Sequence, residues 1–265
     1  MFNYSKEHIL YLKKIKKEIF LVHFFRIVII ISFILLWEIL ARSKVINTFL
    51  FSSPSKIFNT IIRMSIHDKL FYHIGISLWE VLLSFLISFF IGLLVATILW
   101  RYRIISKIFD PYIMILNSLP KVALGPLIII WMGARINSII FMSLTISLFS
   151  TIINLYIGFK SVPKNEIILM KSFKATNFQI YSKLILPSNI ENIVSTLKIN
   201  ISMNFIGVIM GELLVSKVGL GYLIMYGSQV FNLDLVLSSI FILGILSFGF
   251  YSFMDFIIKQ LKKKR

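Results

Sequence analysis

The chain has 265 residues, 58% of them hydrophobic and 15% charged, with a mean hydropathy of +0.89. Soluble domains are about 45–50% apolar and about 25% charged, so this composition places the chain in lipid. Its net charge of +17 sits on cations that flank apolar runs, which argues for membrane orientation and against nucleic-acid binding; the lack of cysteine excludes disulfides, thiol catalysis and Cys-ligated metals.

In chain order, residues 1–21 mix Lys, Tyr and Ile ahead of an apolar run that no small-residue cleavage pattern follows, so an uncleaved anchor is expected. A helix needs about 20 apolar residues to cross the hydrocarbon core. By that measure six crossings are expected, near 22–41, 76–99, 111–132, 137–158, 190–214 and 236–258. All are expected to be helical, because a lone strand leaves its backbone unsatisfied in lipid. Ser53-Pro54 predicts the cap and start of a short outer helix near 54–66. Asp110-Pro111 is expected to open the third crossing, and Pro120 and Pro126 to kink or interrupt it. Ser188-Asn189-Ile190-Glu191 reads as a capping box opening the fifth crossing, and Gly219-Leu220-Gly221 as a tight turn or re-entrant bend. No repeat or linker interrupts the pattern, so one transmembrane domain is expected over 1–265.

With the N-terminus inside, the inner segments hold 19 Lys and Arg against 7 outside. This predicts a multi-pass protein of the cell membrane with both termini cytoplasmic, including a basic tail at 259–265 and a polar insert at 159–189. Within the insert, Thr176-Asn177-Phe178-Gln179 is a capping box, and a short helix is expected from there to Pro187. Its aromatic and aliphatic residues, Phe173, Phe178, Ile180, Tyr181 and Leu184, are too many to turn inward in so small a loop. Two readings stand: the insert docks on a soluble partner, or it lies on the membrane with its lysines against acidic lipid.

Two crossings carry polar stripes. Ser143, Ser147, Ser150, Asn154 and Gly158 share one face of the fourth helix; Thr196, Asn200, Asn204, Gly207 and Gly211 share one face of the fifth. Small residues permit close helix packing, which accounts best for the glycines, while Asn200 and Asn204 also suit a path for a polar solute. Glu38, Glu80 and Glu212 lie toward outer ends, where a carboxylate reaches water. Lys121 follows a kink and is expected to reach a solute or a freed carbonyl. There is no Walker-type loop, His8, His23, His67 and His73 lack metal-ligand spacing, and no nucleophile sits in an elbow motif.

The segment Asn117-Ser118-Leu119-Pro120-Lys121-Val122-Ala123-Leu124-Gly125-Pro126-Leu127, continuing to Trp131-Met132-Gly133, resembles the permeases of binding-protein-dependent ABC importers. The branch it is most similar to carries nitrate, sulfonate, taurine and thiamine-precursor pyrimidines. Gly158-Phe159-Lys160-Ser161-Val162, Lys183-Leu184-Ile185-Leu186-Pro187 and Gly219-Leu220-Gly221-Tyr222-Leu223-Ile224 extend the likeness. The resemblance implies an all-α, MetI-like type I importer permease, which moves a small polar or anionic solute and is not an enzyme. It implies a pair of cytoplasmic ATP-binding subunits, an extracytoplasmic solute-binding protein and a second permease copy, with ATP and Mg on the ATPase and no cofactor in this chain. Coupling to the ATPase then falls to Phe173, Lys174, Ala175, Thr176, Phe178, Gln179, Tyr181, Leu186 and Pro187, and the path to Ser147, Ser150, Asn154, Asn200 and Asn204.

Aligned on Leu186-Pro187, the family's Glu-Ala-Ala triplet falls on Ile168-Leu169-Met170 and its glycine on Lys174; neither matches, whereas Ala175, Thr176 and Ile185-Leu186-Pro187 do. If the glycine position is left-handed, Lys174 costs roughly 1 kcal/mol there. An ion-coupled secondary transporter is the alternative, but only the third crossing looks interrupted and no inverted repeat is evident.

Overall fold

The computed structural model describes residues 6–263; the first five residues of the predicted N-terminal segment and the last two of the basic tail lie outside it. The chain is helical throughout. Its elements are α1 (Lys6–Arg42), α2 (Thr48–Phe51), α3 (Pro54–His67), α4 (Leu70–Arg101), α5 (Arg103–Ser118), a 3-10 turn (Lys121–Leu124) and α6 (Gly125–Met132). There follow α7 (Ile136–Ser161), α8 (Lys164–Ser172), α9 (Asn177–Ile180), a π turn (Tyr181–Ile185), α10 (Leu186–Ser188), α11 (Ile190–Val215), α12 (Leu220–Gln229) and α13 (Leu233–Lys263).

Among the described residues five helices are long and apolar enough to span, and α5 with the 3-10 turn and α6 passes the same test as a pair bent by 85°, the geometry of a broken span or a re-entrant loop. The bend falls at Leu119-Pro120, as the prolines lead one to expect. Pro111, however, does not open this segment. It lies inside α5, which starts at Arg103 where Tyr102 leaves helical geometry (φ −114°, ψ 95°). A single missing N–H is not enough to stop the helix there.

α7 is the central rod, packed most extensively against α11 and α4. The approach is close because the contact residues are small. A Cβ on Gly207 would stand 2.4 Å from the Cα of Ser143, and one on Gly211 2.9 Å from the Cα of Ile139. Lipid tails are as apolar as leucine, so such contacts, not hydrophobic burial, hold membrane helices together.

Toward one end of this bundle, Ala96 and Leu99 of α4, Leu155 and Phe159 of α7, and Ile180 and Ile185 close an apolar core. At the opposite end Met64, Leu70, Leu220, Leu223, Leu235 and Ile242 form another, from α3, α4, α12 and α13. There α3 begins as predicted, with the Ser53 hydroxyl accepting from Lys56 N at 3.3 Å, and Ser52 ties it to Asp234 of α13 at 2.5 Å. Among the described residues, the most apolar stretch of α1 is unburied, leaving it to lipid or a partner.

Candidate functional site

The insert folds into a corner, α8 followed by α9, whose shape comes from two caps. α8 ends in a Schellman motif: Ala175 N donates to Met170 O at 3.1 Å and Lys174 N to Lys171 O at 2.8 Å. That motif places its turning residue in left-handed space, and Lys174 has φ +56°. The position aligned with the family glycine therefore does need the conformation glycine adopts freely. α9 opens with the predicted box, Thr176 N donating to Gln179 Oε1 at 2.7 Å and Gln179 N to Thr176 Oγ1 at 3.3 Å.

From this corner two aromatic side chains project. Phe173 is 74% exposed and Phe178 76%, with Ile168 and Leu169 exposed beside them. Lys174, Thr176 and Gln179 are exposed as well, and Ala175 is half-buried. As expected, the five do not all turn inward: Phe173 and Phe178 stay out, whereas Ile180 is 2% exposed, and Tyr181 and Leu184 pack against the same inner core. Tyr181, half-buried, is held from its inner side. Its hydroxyl meets Thr97 Oγ1 at 2.7 Å, and its ring lies 5.6 Å from Trp100 and 5.9 Å from Phe159.

The helical stretch expected from Thr176 to Pro187 runs over Asn177–Ser188, through Pro187 itself. The chain widens into the π turn over Tyr181–Ile185, which accommodates a proline where an α-helical N–H would otherwise be lost. Leu186 and Pro187 are half-buried in the continuing helix. α11 starts at Ile190, where the sequence placed the start of the fifth crossing, but Asn189 donates its side-chain amide back to Ile185 O at 2.9 Å and makes no side-chain cap bond to α11.

The polar stripes meet as predicted, but inside the packing. Asn204 Oδ1 accepts from Ser143 Oγ at 2.8 Å and Ser147 Oγ at 3.2 Å. Asn204 Nδ2 donates to Asn200 Oδ1 at 2.6 Å; Asn200 Nδ2 donates to Thr151 Oγ1 at 2.5 Å, and Ser88 Oγ donates to Asn200 Oδ1 at 3.0 Å. Ser147 and Asn204 are fully buried and Asn200 is 1% exposed. These three side chains join α4, α7 and α11 and do not face open space here, a correction to the path reading. Ser150 and Asn154 are half-buried. Ser150 Oγ donates to Asn117 Oδ1 at 3.0 Å, and Lys121 Nζ reaches the same oxygen at 3.0 Å and Ile146 O at 3.2 Å. Lys121 thus finds a carbonyl, but on α7 and not at the kink. Asn117 and Lys121 of the bent segment and Ser150 of α7 therefore form one polar cluster, while Asn154 offers its backbone carbonyl to Asn192 Nδ2 at 2.9 Å.

Ser88 and Thr151 were missed by the sequence reading. A signal existed in α4, where Ser84, Ser88, Gly92 and Ala96 recur every four residues and all are buried. The carboxylates also need correction. Glu38 stays near water, pairing with Arg42 at 2.7 Å and accepting from Ser55 N at 3.1 Å. Glu80 and Glu212 are 2% and 1% exposed and interact with one another. Glu212 accepts from Ser77 Oγ at 2.6 Å and Gly221 N at 2.5 Å, clamping the turn before α12; the Glu80 Oε2 atom has no hydrogen-bond partner. Gly219, at φ +103°, fits there because a Cβ would strike the Glu212 carboxyl carbon at 2.4 Å. Lys198 pairs with Asp255 across α11 and α13.

The family described as "Binding-protein-dependent transport system inner membrane component" matches residues 88–265. An ABC transporter permease of Haemophilus influenzae is 28% identical over 86% of this chain and 92% of its own length. A formylaminopyrimidine transport permease (ThiX) of Halalkalibacterium halodurans is 28% identical over 87% and 92%. An aliphatic sulfonates transport permease (SsuC) of Bacillus subtilis is 25% identical over 88% and 84%. Among solved structures, the inward-facing MetNI methionine ABC transporter superposes with a TM-score of 0.63 at 18% identity, covering 72% of this chain and 97% of that one. The likeness to that structure is one of fold.

Proposed function

Since the chain belongs to the binding-protein-dependent transport system inner membrane components, a family of transport subunits and not of enzymes, we propose that its α8–α9 corner is the seat for a separate cytoplasmic ATPase. The chain is the permease subunit of an ABC importer in the inner membrane. The observation that carries the docking assignment is the pairing of Phe173 and Phe178. Both stand out from a corner whose other face is pinned to α4 and α7 through Tyr181, Ile180 and Ile185. A rigid corner with two unburied aromatic rings is suited to fill a groove on a partner.

In this reading the corner, both termini and the 19 inner cations are cytoplasmic. ATP and Mg are bound by the partner, and two permease copies form the path. The solute is small and polar or anionic, of the sulfonate, nitrate, taurine or thiamine-precursor kind. Support comes from the names of the relatives and from Lys121 of the bent segment, a cation beside Asn117 and Ser150. The test is reconstitution with the cognate ATPase and binding protein in liposomes. ATP-dependent uptake of an alkanesulfonate or a pyrimidine is expected, and Phe178→Asp is expected to release the ATPase from the detergent-purified complex. Full retention of the ATPase by Phe178→Asp with intact uptake would defeat the docking assignment.

A further inference from the structure

We propose that the groove between the α4–α5 joint, α7 and α8 binds one anionic phospholipid, phosphate in a basic cavity and acyl chain in an apolar one. The basic cavity, about 540 Å³, is lined by Arg103, Lys107, Lys160, Lys164 and Lys171. These cations come from three separate helices and converge on one space. Ion pairs among the described residues join Arg42 to Glu38 and Lys198 to Asp255, so none of the five is in an ion pair with a described carboxylate. Five like charges around one cavity raise its positive potential and favour an anion there.

The adjoining cavity, about 390 Å³, has a different character, lined by Ile113, Met114, Ile153 and Ile157. The two share Leu99, Tyr156 and Lys160, so they abut, and the proposed lipid reaches from one into the other. Asp110 lines the apolar cavity, leaving only the basic one to an anion. At the shared wall the Tyr156 hydroxyl is bonded to Ser106, and Lys160 Nζ stands 5.4 Å above the Tyr156 ring. A free phosphate has no use for the apolar half; a phosphodiester carrying a chain uses both. Basic pockets between membrane helices hold acidic headgroups in this way.

The experiment uses the full-length chain, delipidated in detergent and titrated by native mass spectrometry with phosphatidylglycerol, phosphatidylcholine or inorganic phosphate. Phosphatidylglycerol is expected to bind at least about tenfold tighter than phosphatidylcholine, a comparison that needs no variant. The combined R103Q/K107Q/K160Q variant is expected to lose about tenfold in phosphatidylglycerol affinity, whereas K107R/K160R keeps it. Ile153→Trp, which fills the apolar cavity, weakens the lipid without weakening phosphate. Equal binding of the two lipids, or an undiminished phosphatidylglycerol affinity in the glutamine variant, overturns the proposal. So does full displacement by millimolar phosphate with no effect of Ile153→Trp, which would mark a free-anion site. Full displacement by the ATPase overturns it as well, and would assign the cavity to that partner instead.

Discussion

Replacing Gly207 by Ala is the most direct probe of how the bundle is held. The added Cβ would lie 2.4 Å from Ser143 Cα and 3.0 Å from both Ser143 Cβ and Oγ. Carbon contacts settle near 3.5–4.0 Å, so α7 and α11 must part by roughly 1 Å. That movement also stretches the 2.8 Å bond from Ser143 to Asn204. Overpacking costs about 1–3 kcal/mol, against a gain of about 0.5–1 kcal/mol for Ala over Gly within a helix. A net loss of up to about 2.5 kcal/mol follows, centred on about 1 kcal/mol. Gly244 is the control, since a Cβ there meets nothing within 4 Å, and Gly244→Ala is expected to be neutral or to gain up to about 1 kcal/mol. Unfolding in mixed micelles, followed by the fluorescence of the four tryptophans, reads both variants. If Gly207→Ala and Gly244→Ala respond alike, the close approach of α7 to α11 is not what holds the bundle.

Three further outcomes are expected from the same unfolding measurement. Lys174→Gly relieves a left-handed non-glycine residue at φ +56° and is expected to stabilise by about 1 kcal/mol; a loss would show that the lysine makes a compensating contact. Glu212→Ala strips the acceptor from Gly221 N and Ser77 Oγ, at about 1–3 kcal/mol for each orphaned donor, whereas Glu80→Gln keeps the shape and stays within about 1 kcal/mol. Equal effects at the two positions would contradict the clamp assigned to Glu212. Tyr181→Phe removes only the bond to Thr97, at about 1 kcal/mol, and is expected to leave ATPase retention unchanged; loss of the ATPase would return Tyr181 to the docking face.

The spans were legible because hydropathy over about 20 residues is a property of the chain itself. The box at Thr176 was legible too, since its partners lie three residues apart. What escaped depended on residues outside the pattern being read. Ser188–Glu191 marks the start of α11 correctly, yet Asn189 turns its side-chain amide back to Ile185 O, so the N-cap residue makes no side-chain cap bond. Asn200 and Asn204 were placed on the right face with the wrong destination, because periodicity identifies a face and not what covers it. Glu80 and Glu212 looked water-accessible near helix ends until α4, α11 and α12 closed around them. Lys174 shows the reverse case: the alignment raised the question of handedness, and only the backbone answered it.

The shared amide cluster has a bearing on how the polypeptide enters the bilayer during synthesis. Ser88, Ser147 and Thr151 each reach a carbonyl of their own helix, at 3.1, 3.0 and 2.9 Å, so α4 and α7 can wait in hydrocarbon without exposed hydroxyl donors. Asn200 has only half such a refuge: its Oδ1 can accept from Asn204 on the same helix, but its amide N–H donates across to Thr151. An isolated α11 would carry an unquenched amide into oil. Ribosomes deliver α4 and α7 first, so the late-arriving segment finds its acceptors already installed.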